Sequence, residues 1–363
     1  VSGQDDARHM AHALALGRRG LGRVWPNPAV GCVIVHDGRI IGRGWTADGG
    51  RPHAETRALQ QAGAAARGAT AHVTLEPCAH HGRTPPCAEA LIRAGVARVV
   101  TALEDPDPRV SGKGHAMLRA AGVEVATGCG AAIARRDQAG FLSRVTRGRP
   151  MLTLKLAATL DGRIATASGE SRWITGPAAR MRVHAMRASH DAVLVGGGTA
   201  RADDPALTLR GFGDAPQPVR VVAARKLDLD PQGRLGTGVA PTWLCHGAEA
   251  PADRRAAWAA KGARLIELPV RGGQLDPVAM LEALGAAGLT RVLCEGGASF
   301  AAALIQADLV DRLALFSAGI AMGAEGLPAL GALGLGRLAD APRFRLASVE
   351  QVGPDTLSQW DRA

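Results

Sequence analysis

Four side chains in the first quarter of the chain have the types and spacing to do chemistry: His53 and Glu55 in "RPHAETRAL", and Cys78 and Cys87 in "PCAHHGRTPPC". Neutral imidazole and thiolate are zinc donors, and a catalytic zinc keeps three protein ligands with water in the fourth position. His53, Cys78 and Cys87 supply that count. The order H-x-E, then P-C, then a second cysteine is the signature of hydrolytic deamination by zinc, with the glutamate shuttling protons and not ligating. Zinc lowers the pKa of its water from 15.7 to about 7. Glu55 would take a proton from that water and return it to the ring and the leaving amine, work usually worth roughly 10² to 10⁴ in rate. The predicted outcome is ammonia released from an amino-substituted ring carbon. A structural zinc site, with His80 or His81 as a fourth ligand, is the alternative.

The elements must place these groups. Residues i and i+2 do not share a helix face, so His53 and Glu55 make sense at a helix start. The signature usually reads C-x-x-C, whereas here eight residues separate the cysteines. A strand end carrying Cys78 and a helix start carrying Cys87 would still bring both sulfurs to one metal. The pattern predicts a helix over 8–16, a hairpin turning at Asp37-Gly38, a helix from about Ala54 and a strand over 71–76. A helix over 87–94, a strand over 97–103, a helix near 113–121, the strand "VEVAT" and a helix over about 130–145 follow. Strands alternating with helices imply an α/β sheet with helices on its faces. A fresh strand after Pro150 sets the expected division into domains 1–147 and 148–363.

The second half repeats the alternation, with helices over 178–188, 276–287 and 298–307 and strands "DAVLVG", "VRVVAA", "TRVLCEG" and "DRLALFSA". It has no G-x-G-x-x-G, so a Rossmann reading is unsupported. "VLVGGGTARADDP" and "VLCEGGASF" each run from a strand into glycines, which let backbone approach a ligand closely. Open α/β sheets bind ligands beyond the carboxyl ends of their strands.

Length and composition bound the rest. A chain of 363 residues exceeds the size at which single cores stop growing. With 47% apolar and 21% charged residues it reads as globular, and no apolar run approaches the roughly 18 residues of a membrane span. The opening "VSGQDDARHM" has no apolar signal core and lacks an initiator methionine, so a trimmed start and a cytoplasmic location are expected. Six irregularly spaced cysteines do not make a disulfide framework, and Cys32, Cys129, Cys245 and Cys294 read as small core residues. The net charge of +10 predicts an anionic partner. Single-stranded nucleic acid usually stacks on aromatic platforms, and a chain with no Tyr and five Phe favours small phosphorylated ligands instead.

"PNPAVGCVIV", "PHAE", "LEPCAHHGRTPPC" and "EDPDPRVSGKG" resemble the deaminase half of the bifunctional riboflavin-biosynthesis deaminase–reductases, in which C-x8-C is itself the pattern. "KLAATLDGRIATASGESRWIT", "GGGTARADDPALTLR" and "EGGASF" resemble the reductase half. The resemblance implies a cytidine-deaminase-like α/β/α domain followed by a dihydrofolate-reductase-like α/β domain. It implies zinc-dependent deamination of a diamino-hydroxy-ribosylaminopyrimidine 5′-phosphate at ring C2, then reduction of the ribosyl group to ribityl with NADPH. It further implies a homo-oligomer, dimer or tetramer, with neither nucleic-acid nor membrane partners. A nucleic-acid or nucleoside base deaminase with an accessory phosphate-binding domain is the competing reading.

Carried over by position, the resemblance makes His53, Cys78 and Cys87 the zinc ligands and Glu55 the proton donor. Asn27 is then the pyrimidine contact, and Arg83 a contact to the substrate phosphate. Ala157, Trp173, Thr199, Asp203, Gly297, Ala298, Ser299 and Phe300 fall where NADPH is contacted. Ser171, Arg187, Leu207, Arg210 and Glu295 fall where the sugar phosphate is contacted. Two arginines on separate elements can clamp one phosphate, which suits Arg187 and Arg210. Thr46 departs from the pattern by replacing a histidine, which puts one substrate contact in question. Trp25, His81 and Asp107 are further departures, and none belongs to the metal set.

Overall fold

A computed structural model describes residues 3–80 and 85–363. The chain divides into two compact units between Gly148 and Arg149. Among the described residues, no helix is long and apolar enough to cross a membrane.

The first unit begins with α1 (Gly3–Gly17), then the hairpin β1 (Gly31–His36) and β2 (Arg39–Trp45), then α2 (Ala54–Ala62) and β3 (Thr70–Val73). There follow α3 (Cys87–Arg93), β4 (Arg98–Thr101), α4 (Lys113–Ala120), β5 (Glu124–Thr127), α5 (Ala131–Asp137) and α6 (Ala139–Arg147). The five strands lie in the order β2-β1-β3-β4-β5. β1 is antiparallel to both neighbours, and β3, β4 and β5 run parallel. The single helix expected over 130–145 is two helices, α5 and α6. They part at Gln138, whose buried side chain turns inward to donate to Ala29 O at 2.7 Å.

Two contacts fix the helices on this sheet. A Cβ at Gly44 would lie 2.0 Å from Ala54 O, so only glycine lets α2 rest directly on the β2 backbone. On the other face Asp6 of α1 accepts both guanidinium arms of Arg98 at 2.8 Å and lies 3.0 Å from His72 Nε2. This tie joins α1 to β4 and β3.

The second unit opens with β6 (Met151–Thr159), β7 (Arg163–Ala165), α7 (Pro177–Ala188), β8 (Ala192–Gly196), α8 (Gly197–Asp203), β9 (Val219–Ala223) and β10 (Thr242–His246). It continues through α9 (Ala252–Ala260), β11 (Arg264–Glu267), the short hairpin β12 (Val270–Arg271) and β13 (Gln274–Leu275), α10 (Pro277–Ala286), β14 (Arg291–Cys294) and α11 (Ala298–Gln306). It closes with β15 (Arg312–Ala318), β16 (Leu327–Pro328), β17 (Phe344–Val352) and β18 (Asp355–Arg362). Nine strands form one sheet in the order β11-β10-β9-β8-β14-β6-β15-β18-β17, parallel as far as β15 and antiparallel beyond it. The apolar runs of β6, β8, β9 and β14 suit strands covered on both faces.

The Asp6 tie makes a test. Hydrogen bonding from Arg98, reinforced by His72 against the cost of burial, holds the Asp6 carboxyl at about 2. A carboxyl whose pKa is lowered on folding stabilises fully above its unfolded value near 3.9, and that stability disappears as pH falls toward 2. Asp6→Asn is expected to cost about 1–2 kcal/mol near pH 6, with the difference from wild type shrinking between pH 4 and 2. Urea unfolding across that range measures it, and a pH-independent difference contradicts the ion-pair account.

Candidate active sites

In the first unit the metal-binding side chains come from three irregular places. His53 is the extended residue immediately before α2, where its backbone has not yet turned helical. Cys78 lies past the end of β3, and Cys87 is the first residue of α3. The donor atoms of these three residues lie within 4.8 Å of one another, and the cluster includes neither His80 nor any other described residue. His53 Nδ1 is 3.3 Å from Cys87 Sγ and 3.7 Å from Cys78 Sγ. A tetrahedral zinc at its usual bond lengths spaces nitrogen and sulfur about 3.5 Å apart, so the set fits zinc. His81 and Arg83 lie outside the described residues.

The charge state of the set points the same way. The Cys87 thiol donates to Cys78 and holds its pKa at about 4, against the cost of burial, and His53 and the Cys87 amide help. The same bond pushes Cys87 upward. His53 is raised, chiefly by its bond to the Cys78 sulfur. A soft dication binding here would displace the protons carried by the second thiol and the imidazole and keep the sulfurs and the ring nitrogen as its ligands.

Glu55 is 4% exposed on the first turn of α2, and burial pushes its carboxyl up to about 6. It stands beside the cluster without belonging to it, as a proton shuttle must. Gly44 sets its height by letting α2 descend onto β2.

Two anchors were not visible as functional residues in the sequence. Glu76, 3% exposed, accepts from the amides of Asp105, Gly112, Gly114 and His115 at 2.8–3.2 Å. It moors the segment that carries Cys78 to the start of α4; its one signal is a lone carboxylate between an apolar strand and Pro-Cys. Thr46 is 2% exposed and turns its hydroxyl inward, accepting from Val30 N at 3.0 Å and donating to Pro28 O at 3.1 Å. Asn27 is half-buried, with its amide packed against Gly50, where a Cβ would fall 2.0 Å from Nδ2.

In the second unit Thr199 and the Gly297 to Phe300 segment lie beyond the carboxyl ends of the adjacent parallel strands β8 and β14, next to which runs β6. A Cβ at Gly297 would lie 2.9 Å from Thr199 Oγ1, and one at Gly196 would lie 3.2 Å from Phe300 Cβ. The starts of α8 and α11 therefore abut, bringing Thr199, Gly297, Ala298 and Phe300 together. Ala157 lies in the same half of β6, paired with Phe316. Ser299 and Asp203 are exposed, the latter at the end of α8.

Arg187 gives two guanidinium arms to Glu295, at 2.5 and 2.7 Å, and the third to Thr208 O at 2.7 Å. Each of its three guanidinium nitrogens is thus anchored inside the protein, and Arg210 is the exposed arginine of that segment. Leu207 is buried with a positive φ of 51°, and Arg210 N donates to His184 Nδ1 at 3.3 Å. Ser171 and Trp173 are exposed before α7, with the Arg180 guanidinium 4.6 Å over the Trp173 ring. Lys155 was missed, although a lone lysine in "MLTLKLAAT" is a signal. Burial lowers its pKa, opposed by attraction to Glu295. Burial disfavours the Glu295 anion, yet Arg187 and Lys155 outweigh this and keep it ionised.

Residues 150–358 match the family described as "RibD C-terminal domain", and residues 3–103 match "Cytidine and deoxycytidylate deaminase zinc-binding region". The chain is 43% identical to riboflavin biosynthesis protein RibD of Escherichia coli K12, over 96% of this chain and 97% of the relative. It is 40% identical to RibD of Bacillus amyloliquefaciens, over 96% and 94%. Among solved structures, Acinetobacter baumannii RibD, form 1, superposes with TM-score 0.91 at 38% identity, covering 100% of both chains. A Thermotoga maritima diaminohydroxyphosphoribosylaminopyrimidine deaminase/5-amino-6-(5-phosphoribosylamino)uracil reductase superposes with TM-score 0.88 at 34% identity, covering 99% of both.

Breaking the Arg187–Glu295 pair strands a charge in a place where the two side chains are 13% and 11% exposed. Arg187→Ala is expected to cost the protein about 3 kcal/mol in urea unfolding, and Arg187→Ala with Glu295→Gln to recover at least half of it. A double variant no more stable than the single one contradicts this.

Proposed function

The chain belongs to the family of bifunctional riboflavin-biosynthesis deaminase–reductases, and on that premise we propose how its own residues divide the two reactions. The first half is cytidine-deaminase-like and the second dihydrofolate-reductase-like. The observation that carries the reading is the His53–Cys78–Cys87 triad with Glu55 buried beside it.

His53, Cys78 and Cys87 would hold zinc, which would supply a hydroxide-strength nucleophile at neutral pH. Glu55 would take one proton from the attacking water and deliver it to the ring nitrogen, then take the second from the newly added hydroxyl and deliver it to the departing amine, so that ammonia leaves as the ring carbonyl forms. Its burial removes competing water and keeps its pKa within reach of neutrality. Asn27 orients the pyrimidine, and Arg83 meets the 5′-phosphate. The product is the aminouracil ribosyl phosphate plus ammonia.

In the second half the edge where α8 and α11 begin would hold NADPH, with Ala157, Trp173, Thr199, Asp203 and Gly297 to Phe300 as its contacts. The N–H groups at the start of α11 suit its phosphates. The sugar phosphate lies over Ser171, Leu207 and Arg210, with Arg187 and Glu295 forming the floor beneath it. Lys155, the cation facing Glu295, stands where it can hold or pass a proton while the ribosyl group is reduced to ribityl. Six free cysteines suit a reducing cytoplasm.

Self-association is carried by the antiparallel end of the second sheet. Leu313, Trp360 and Leu346 are directly opposite one another, as are Leu315, Ser358 and Val349. A register shift between Leu346 and Ser348 puts Leu346 and Val349 on one face, where they are 49% and 60% exposed. We propose that a second copy covers this apolar face.

Glu55→Gln is expected to keep zinc, to lower ammonia release at least about a thousandfold, and to leave NADPH-dependent reduction of the deaminated substrate intact. Mass analysis of the diaminopyrimidine ribosyl phosphate, incubated with and without NADPH, reads both steps. A variant that deaminates normally contradicts the role of Glu55. Leu346→Glu with Val349→Glu is expected to give a monomer by light scattering, and an unchanged mass refutes the self-association face.

A further inference from the structure

Thr46, the residue that follows β2, is fully engaged. Thr46 N donates to Val30 O at 2.9 Å, which extends the β1–β2 ladder by one residue beyond the Gly31–Trp45 pair. Its hydroxyl then reaches further, accepting from Val30 N and donating to Pro28 O. With the donor used, an acceptor position filled and 2% of the residue exposed, this side chain has nothing to offer a ligand.

Its partners matter more than its own chemistry. Pro28 and Val30 lie one and three residues after Asn27 in the chain. On the other side of Asn27, Gly49 N donates to Arg23 O at 2.9 Å, and Gly50 presses against the Asn27 amide. Thus the 46–50 turn grips the 23–30 segment both before and after Asn27, and the same turn runs on through Pro52 to His53. Ala47 N donates to Pro52 O at 3.1 Å, which closes that run. The turn couples the metal side of the site to its ring-binding side.

We propose that Thr46 is a positioning residue of the deaminase half: its hydroxyl sets the segment bearing Asn27 at the height of the bound ring and makes no contact with substrate. The proposal rests on the reading that Asn27 meets the pyrimidine. Loss of the hydroxyl leaves the buried Val30 amide only its local bond to Pro28 O at 3.2 Å, takes the hydroxyl donor from Pro28 O and frees the turn after Asn27, so substrate affinity falls while the reaction chemistry, built from the triad and Glu55, does not change.

The test compares Thr46→Val, which keeps the shape and deletes both bonds, with Thr46→Ser, which keeps the bonds. Thr46→Val is expected to raise the deaminase KM about tenfold with kcat within about twofold, the cost of one buried hydrogen bond. Thr46→Ser should stay within about twofold of wild type. Zinc content and the reductase rate should match wild type in both. Hydrogen exchange on the substrate-free proteins supplies the readout independent of activity: the Val30 amide should exchange at least about tenfold faster in Thr46→Val alone, while the Gly31 amide, held by Thr74 Oγ1 at 3.0 Å, keeps its rate. A raised KM without faster exchange means direct substrate contact and overturns the proposal. Faster exchange with an unchanged KM, or a fall in kcat alone, overturns it as well. A wild-type protein that releases no ammonia fails the deaminase reading and takes the proposal with it, whereas the other outcomes refute the clamp alone.

Discussion

The catalytic geometry of the first unit depends on a buried carboxylate that takes no part in the chemistry. Glu76 has a side chain with no exposure and receives four backbone N–H groups, most of them from the start of α4. Backbone donors and the positive end of a helix together stabilise an anion that burial would otherwise make costly. The same contact holds down Pro77, against whose carbonyl Gly114 packs so closely that a Cβ would lie 2.0 Å away. Only with that segment pinned does Cys78 reach the start of α3. There its sulfur accepts the Cys87 amide, and its carbonyl accepts the Ala88 amide at 3.2 Å. The long gap between the cysteines is therefore tolerable because both ends of the loop are anchored on rigid elements.

The second unit solves a similar problem with opposite charges. Glu295 follows β14 directly and is held by Arg187 of α7 and by the field of Lys155 on neighbouring β6. A buried ion pair contributes little net stability once desolvation is counted, but it fixes geometry strongly because breaking it is costly. It places the 207–210 segment through Thr208 O and so decides where Arg210 emerges. In both units the groups able to do chemistry sit beyond the carboxyl ends of parallel strands, where helix starts offer free N–H groups and loops can vary without disturbing the sheet.

Legibility in the sequence followed the range of the interactions. His53, Glu55, Cys78 and Cys87 were readable because donor chemistry and local spacing identify them before any fold is known. The alternation of strands and helices in the first unit was readable from period alone. The single helix over 130–145 was not, since Gln138 leaves the helical path for a partner 109 residues away. β17, the edge strand, and β18 beside it went unread because strands with mixed polar faces carry no clean alternation. Thr46 and Glu76 were invisible as anchors for the same reason as Gln138: their partners are distant in sequence, and an isolated hydroxyl or carboxylate does not announce what it will hold.

Charge shows the same limit from another side. The excess of 10 positive charges suggested anionic ligands, yet several arginines are internal struts. Arg98 spans Asp6 and Glu124, and Arg149 grips Asp311 with both arms. Arg220 is fully buried, donating to the carbonyls of Arg234 and Ala240 at 2.9 and 2.7 Å. Arg187 belongs with them. A guanidinium anchored by carboxylate or carbonyl is held in place by internal partners and has fewer of its five N–H donors free for phosphate, so net charge raises the local concentration of an anionic substrate but does not say which cation receives it. That choice is made by packing, and at the reductase edge packing consumes Arg187 and releases Arg210.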